Sequence, residues 1–146
     1  MEDKVIVHYF KIYGRAEPIR MLLWYFKIPF ENKFVPRMDK EPEEWAKVKP
    51  TLEFGQVPMV EIDGLRLTDT FAILSYLADK VGIVPDTLKA KYLENSAIDL
   101  LRDLVLEMYP VFFATPEGKD AAIAKFQISF DAKLGYIENR LKENET

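Results

Sequence analysis

The stretch YFKIYGRAEPIR, residues 9–20, is where one backbone period gives way to another. Ahead of it, Lys4 to Tyr9 is short and rich in β-branched and aromatic residues, the composition of a buried strand. Beyond it, Ile19, Leu22, Leu23 and Phe26 recur at helical spacing; Pro18 is tolerated in the first turn, and Ile28-Pro29 stops the run. A strand therefore runs into a helix, and Tyr9 stands where the strand ends.

The pattern continues with a second strand from Glu31 to Val35 and a short helix around Glu43 to Val48, before Pro50. Met59 to Ile62 and Leu65 to Thr68 flank Asp63-Gly64, and a two-residue Asp-Gly loop between apolar runs predicts an antiparallel hairpin. Phe71, Leu74, Leu77, Ala78 and Val81 then form one apolar stripe, opened by Thr70 as N-cap and closed by Gly82. The order β-α-β-α-β-β-α gives a parallel pair, a hairpin edge and helices to cover the sheet, which is the thioredoxin-like arrangement.

That α/β domain is expected over residues 1–82, with a linker at 83–87 containing Pro85 and Asp86. Residues 88–146 carry no strand pattern and are expected to be all-α. Leu93, Ala97, Leu100, Leu101, Leu104 and Met108 trace one helical face, and Ile123, Phe126, Phe130, Leu134, Ile137 and Leu141 another, with a break at Thr115-Pro116. Two helices of about 25 residues are roughly 38 Å long each. Such a pair cannot bury both faces against the small domain alone, so another chain or further helices are expected to cover them.

Composition excludes several chemistries. The chain has 146 residues, 49% of them hydrophobic and 30% charged, with a net charge of −4 and interspersed signs, which disfavours nucleic-acid binding. Cysteine is absent, removing disulfides, thiolate metal sites and any protein-thiol nucleophile, and with them a thiol-disulfide oxidoreductase on this fold. His8 is the single histidine and reads as a strand residue facing a neighbouring side chain; histidine-rich metal sites are excluded and no metal is expected. The EPEE and KENE stretches read as solvated faces or a frayed end. No apolar run approaches the roughly 20 residues that span a bilayer. The opening MEDKVIVHYF lacks signal-peptide features, so cytoplasmic residence is the expectation.

A pocket is expected where the first strand meets the first helix, beside Val57-Pro58 and the helix start at Thr70, because ligands of open α/β sheets sit at strand ends. Val57-Pro58 is a candidate cis bond; in that geometry Val57 would turn its N–H and C=O outward to pair with an extended peptide. The helix start at Thr70 suits a carboxylate, or else Asp69 or Thr70 simply caps the helix. Tyr9 is either a core aromatic or a phenol that donates to a ligand thiolate, with Arg15 assisting by its field or serving as an exposed helix-start charge.

YF followed by GRAE, Trp45 with Lys49, FGQVP, DGLRL and TFAILSYLA stand in one order and spacing. By these motifs, residues 4 to about 80 resemble the amino-terminal domain of a cytosolic glutathione transferase of the tyrosine type, close to the sigma class. The resemblance implies glutathione as co-substrate, with Tyr9 as catalytic tyrosine and Arg15 as its electrostatic support. It implies Trp45 and Lys49 on the glycine carboxylate, Gln56 and Val57 on the cysteinyl backbone beside a cis Pro58, and Thr70 on the γ-glutamyl carboxylate. Lowering a thiol pKa by about two units corresponds to roughly 3 kcal/mol of differential stabilisation.

Asp69 replaces the usual glutamine, so its charge either weakens carboxylate binding or pairs with the γ-glutamyl ammonium, a task the family shares with an acid from the partner subunit, here Asp103. The family's second domain has several more helices than the two found. The expected function is conjugation of glutathione to hydrophobic electrophiles by a homodimer, with Tyr13, Met108, Tyr109 and Phe112 lining the acceptor pocket. A glutathione-dependent isomerase falls within this reading. The alternative is a non-catalytic binding or assembly module within a larger complex.

Overall fold

A computed structural model describes residues 4–144, which divide into two compact units, the first ending at Val84 and the second beginning at Pro85. The first contains β1 (Val5–Tyr9), a 3-10 turn (Gly14–Ala16), α1 (Glu17–Tyr25), β2 (Phe30–Phe34), α2 (Pro42–Val48), a second 3-10 turn (Lys49–Thr51), β3 (Met59–Ile62), β4 (Leu65–Thr68) and α3 (Thr70–Val81). The sheet runs β2-β1-β3-β4. β1 and β2 are parallel, with Val7 opposite Asn32, while β1–β3 and β3–β4 are antiparallel, with Val60 opposite Val7 and Leu67. This is the thioredoxin-like order expected from the sequence.

The strand period of two sets the core. Val5, Val7 and Tyr9 share one face of β1 and join Ile19 and Leu23 of α1 and Ile73 and Leu77 of α3 in a single buried cluster. The next residue, His8, points to the other face and is also buried. Its Nε2 lies 2.9 Å from Glu61 Oε1 without hydrogen-bond geometry. Burial pushes the imidazole pKa down; Glu61 opposes this, and Lys33 and Arg66 reinforce it.

Two expectations for α3 need correction. Its buried line is Thr70, Ile73 and Leu77, while Phe71, Leu74, Ala78 and Val81 are only half-buried. The helix is rotated so that the 70-73-77 row lies innermost. Thr70 is also the first helical residue and not the N-cap; that position belongs to Asp69. The other end closes as expected on Gly82 at φ +77°, with Ile83 N–H donating to Ala78 C=O at 3.0 Å.

The Asp63-Gly64 hairpin turn has both residues at positive φ, +52° and +74°. Lys80 Nζ donates to both Asp63 carboxylate oxygens at 2.8 Å, and the Tyr76 hydroxyl donates to Oδ2 at 2.7 Å, fastening the hairpin to α3.

The second unit is a hairpin of α4 (Leu88–Phe113) and α5 (Lys119–Asn144), each of 26 residues. Thr87 caps α4 by accepting from Ala90 N–H at 3.1 Å. Across the hairpin, Lys133 Nζ donates to Glu107 at 2.8 Å, Ser129 donates to the same carboxylate, and Arg140 donates to Ser96 Oγ at 2.8 Å. Leu104 is buried, whereas Leu106, Phe112, Phe113, Ile128 and Leu141 remain exposed. Among the described residues no helix is long and apolar enough to cross a membrane.

Candidate functional site

Tyr9 ends β1 and is 5% exposed, its ring held in the core. Its hydroxyl oxygen accepts a hydrogen bond of 3.0 Å from the backbone N–H of Arg15, in the turn that carries the chain from β1 into α1. Gly14 makes this approach feasible. It has φ +43°, and a Cβ there would stand 2.8 Å from the Tyr9 oxygen and 3.1 Å from the ring. A side chain at position 14 would displace either the phenol or the turn.

Two further contacts define the turn's surroundings. The Thr70 hydroxyl donates to Arg15 C=O at 3.1 Å, so the start of α3 is pinned to the residue that contacts the phenol. Arg15 Nη2 lies 3.5 Å from Asp69 Oδ1, with the two side chains 30% and 38% exposed. Asp69 has φ +70° and ψ 134°, a conformation disfavoured for any residue with a Cβ, and its carboxylate makes no capping hydrogen bond to α3.

Arg20 supports the same loop. Its guanidinium donates to Asn32 Oδ1 and Glu17 Oε2, both at 2.8 Å, and to the carbonyls of Ile12 (3.2 Å) and Tyr13 (3.4 Å). It also lies 5.9 Å from the Tyr9 ring centroid. Neither Gly14 nor Arg20 stood out as a site residue in the sequence. The signal for Gly14 was a lone glycine five residues before a helical apolar period; the contacts of Arg20 are tertiary and left no local mark.

The remaining expected residues are placed as follows. Val57–Pro58 is cis, and Pro58 is fully buried; both precede Met59, where the ladder of β3 begins. Gln56 is exposed beside them. Trp45 of α2 is buried with its ring 5.4 Å from Phe10, which in turn lies 5.3 Å from Tyr9, so three aromatics run in contact away from the phenol. Lys49 is exposed, and its aliphatic stem lies over Gly55, where a Cβ would meet Lys49 Cε at 3.2 Å. Tyr13 is 78% exposed. Met108, Tyr109 and Phe112 share one side of α4 in the second unit, whereas the exposed Asp103 lies on the opposite side of that helix. The structure thus brings Tyr9, Arg15, Asp69 and Thr70 into one bonded cluster. Among the described residues no group of acidic or histidine side chains has metal-holding geometry.

Fold and site together define a class: a thioredoxin-like domain with a strand-end tyrosine and a cis-proline loop, continued by long helices. The chain belongs to the glutathione S-transferase family, since residues 6–79 match the family described as Glutathione S-transferase, N-terminal domain. It is 40% identical over 129 residues to glutathione S-transferase A2 of Homo sapiens, covering 87% of this chain and 56% of the human protein. It is 36% identical over 141 residues to probable glutathione S-transferase 7 of Caenorhabditis elegans, covering 93% of this chain and 66% of that protein. Its structure is similar to that of the Fasciola hepatica sigma class GST, with a TM-score of 0.79 at 30% identity over 96% of this chain and 67% of that one. The chain spans little more than half the length of the human relative.

Proposed function

We propose that this chain is the glutathione-binding part of a glutathione transferase that joins the glutathione sulfur to hydrophobic electrophiles, working as a cytoplasmic homodimer. The thiolate attacks an electrophilic carbon, a C–S bond forms, and the leaving group departs with the bonding pair. Tyr9 donates its hydroxyl hydrogen to the sulfur and so favours the anion over the thiol. The observation that carries this reading is the 3.0 Å bond from Arg15 N–H to the phenol oxygen, because accepting a hydrogen bond polarises a hydroxyl and strengthens it as a donor.

Around the sulfur, Lys49 and Trp45 take the glycine carboxylate, and Gln56 and Val57, backed by Pro58, take the cysteinyl backbone. The γ-glutamyl carboxylate sits at the start of α3. The Thr70 hydroxyl hydrogen goes to Arg15 C=O, so Thr70 serves that carboxylate through its main-chain N–H. Tyr13 contributes to the acceptor side of the site. The exposed apolar side chains of α4 and α5 support a further covering surface. Relatives named as transferases favour this reading over an assembly module without turnover.

The test compares wild type with Tyr9→Phe. Both are expected to be retained on immobilised glutathione, with the variant losing about 10- to 100-fold in conjugation rate, the worth of one hydrogen bond to a charged atom. Retention of the wild type without turnover of a generic aryl halide would favour the assembly module instead.

A further inference from the structure

The side chain of Asp69 has no capping role in the structure. Its carboxylate makes no hydrogen bond to α3, yet the residue holds φ +70°, a backbone state costing about 1–3 kcal/mol for a residue with a Cβ. What the carboxylate does reach is the Arg15 guanidinium, at 3.5 Å. Arg15 is also the residue whose amide touches the Tyr9 oxygen and whose carbonyl holds Thr70. The single cation in the turn beside the phenol is thus paired with an anion before any ligand arrives.

We infer that Asp69 is a positioning residue that offsets the Arg15 charge, so that a thiolate bound at Tyr9 meets a nearly neutral ion pair and not a free cation. The inference rests on the reading under Proposed function. A lone guanidinium acts on a nearby anion as a monopole, whereas a guanidinium paired with a carboxylate acts as a dipole whose field falls off faster. Asp69 therefore restrains thiol ionisation, and Arg15 promotes it by a comparable amount. The other charges facing the phenol are the Arg20 guanidinium over its ring and Glu17, which pairs with Arg20; both stay the same in the variants below.

The experiment measures the apparent pKa of glutathione bound to the full chain, from thiolate ultraviolet absorbance against pH. Wild type, Asp69→Asn, Arg15→Met and the double variant are compared. Asparagine matches aspartate in shape, so Asp69→Asn leaves the backbone demand at this position as it was, and the bonds of Arg15 to Tyr9 and Thr70 use its backbone, so neither change removes them. Asp69→Gly adopts φ +70° freely and serves as a second carboxylate-free variant.

The expected shifts are downward by about 0.5–1 unit for both Asp69 variants and upward by a similar amount for Arg15→Met, with the double variant returning close to wild type. Since the pair is partly exposed, the shifts shrink in high salt. An unchanged or raised value in the Asp69 variants overturns the inference. So does a double variant displaced as far as Arg15→Met alone, because the Asp69 charge would then not be felt at the sulfur. Wild type that neither binds glutathione nor shows thiolate removes the functional reading and this inference with it. Wild-type thiolate with unshifted Asp69 variants removes the inference alone.

Discussion

The amide of Arg15 and the phenol oxygen of Tyr9 are 3.0 Å apart, and the donor belongs to the backbone. Exchanging the arginine side chain therefore leaves the phenol's partner in place, and the geometry of Tyr9 is governed by the turn at Gly14–Ala16. Gly14 controls that turn twice over, through φ +43° and through the 2.8 Å that would separate a Cβ from the Tyr9 oxygen.

Gly14→Ala is accordingly expected to damage catalysis more than binding. The added carbon shifts the phenol by a substantial fraction of an ångström, and misplacement on this scale costs about 100-fold in rate. Positive φ at a residue with a Cβ adds about 1–2 kcal/mol of destabilisation. Steady-state kinetics together with glutathione-column retention checks this; a variant with wild-type kcat/KM would show that the close approach is unimportant.

Arg20 holds two main-chain carbonyls, Asn32 and Glu17 through one guanidinium whose side chain is 13% exposed. Arg20→Leu leaves those acceptors without their donor and is expected to destabilise the fold by about 2 kcal/mol. The rate should fall at least about tenfold as the loop carrying Tyr13 loosens. Arg20→Lys should recover little, because an ammonium lacks the planar fork. Denaturant midpoints and rates of the two variants, measured together, decide the matter.

His8 yields a pH prediction. Burial lowers its folded pKa below the unfolded value of about 6.5, so folding favours the neutral ring. The contribution is fully present above about pH 6.5 and is lost as pH falls through the folded value. Wild type should lose stability as pH falls below about 6.5, and His8→Gln, which cannot take up the proton, should show a flatter profile there. Parallel profiles from denaturant titrations would refute the assignment.

Legibility followed the range of the interaction. The Asp63-Gly64 hairpin, the Gly82 helix stop and the first strand, Lys4 to Tyr9, are fixed by residues a few positions apart, and each was readable from the sequence. The tie between Thr70 and Arg15 spans 55 residues and exists only because β1, β3 and β4 lie side by side. Nothing local marks it. Asp69 was recognisable as a misplaced charge, but its partner depends on how the start of α3 meets the Arg15 turn. The rotation of α3 was missed for a related reason: Ile73 and Leu74 are both apolar, and only packing against the sheet chose Ile73. Arg20 resembled any exposed helix charge until the loop folded back over it.

The Asp63 cluster gives a second pH prediction, with a different window. Hydrogen bonds from Lys80 first and Tyr76 second hold this carboxyl below its ordinary value. A depressed carboxyl contributes stability above its unfolded value of about 3.9, and that contribution disappears as pH falls through the folded value. Asp63→Asn keeps the positive-φ turn residue, since asparagine accepts that conformation, but loses the charge. The variant should be less stable than wild type near about pH 7, and the two should converge as pH drops below the unfolded value of about 3.9 and through the lower folded one. Tyr76→Phe should show a smaller loss near neutrality, because Lys80 still holds the carboxylate through both oxygens. Urea midpoints at the two pH values test this: a gap between Asp63→Asn and wild type that persists in acid would mean that the turn conformation, and not the charge, carries the effect.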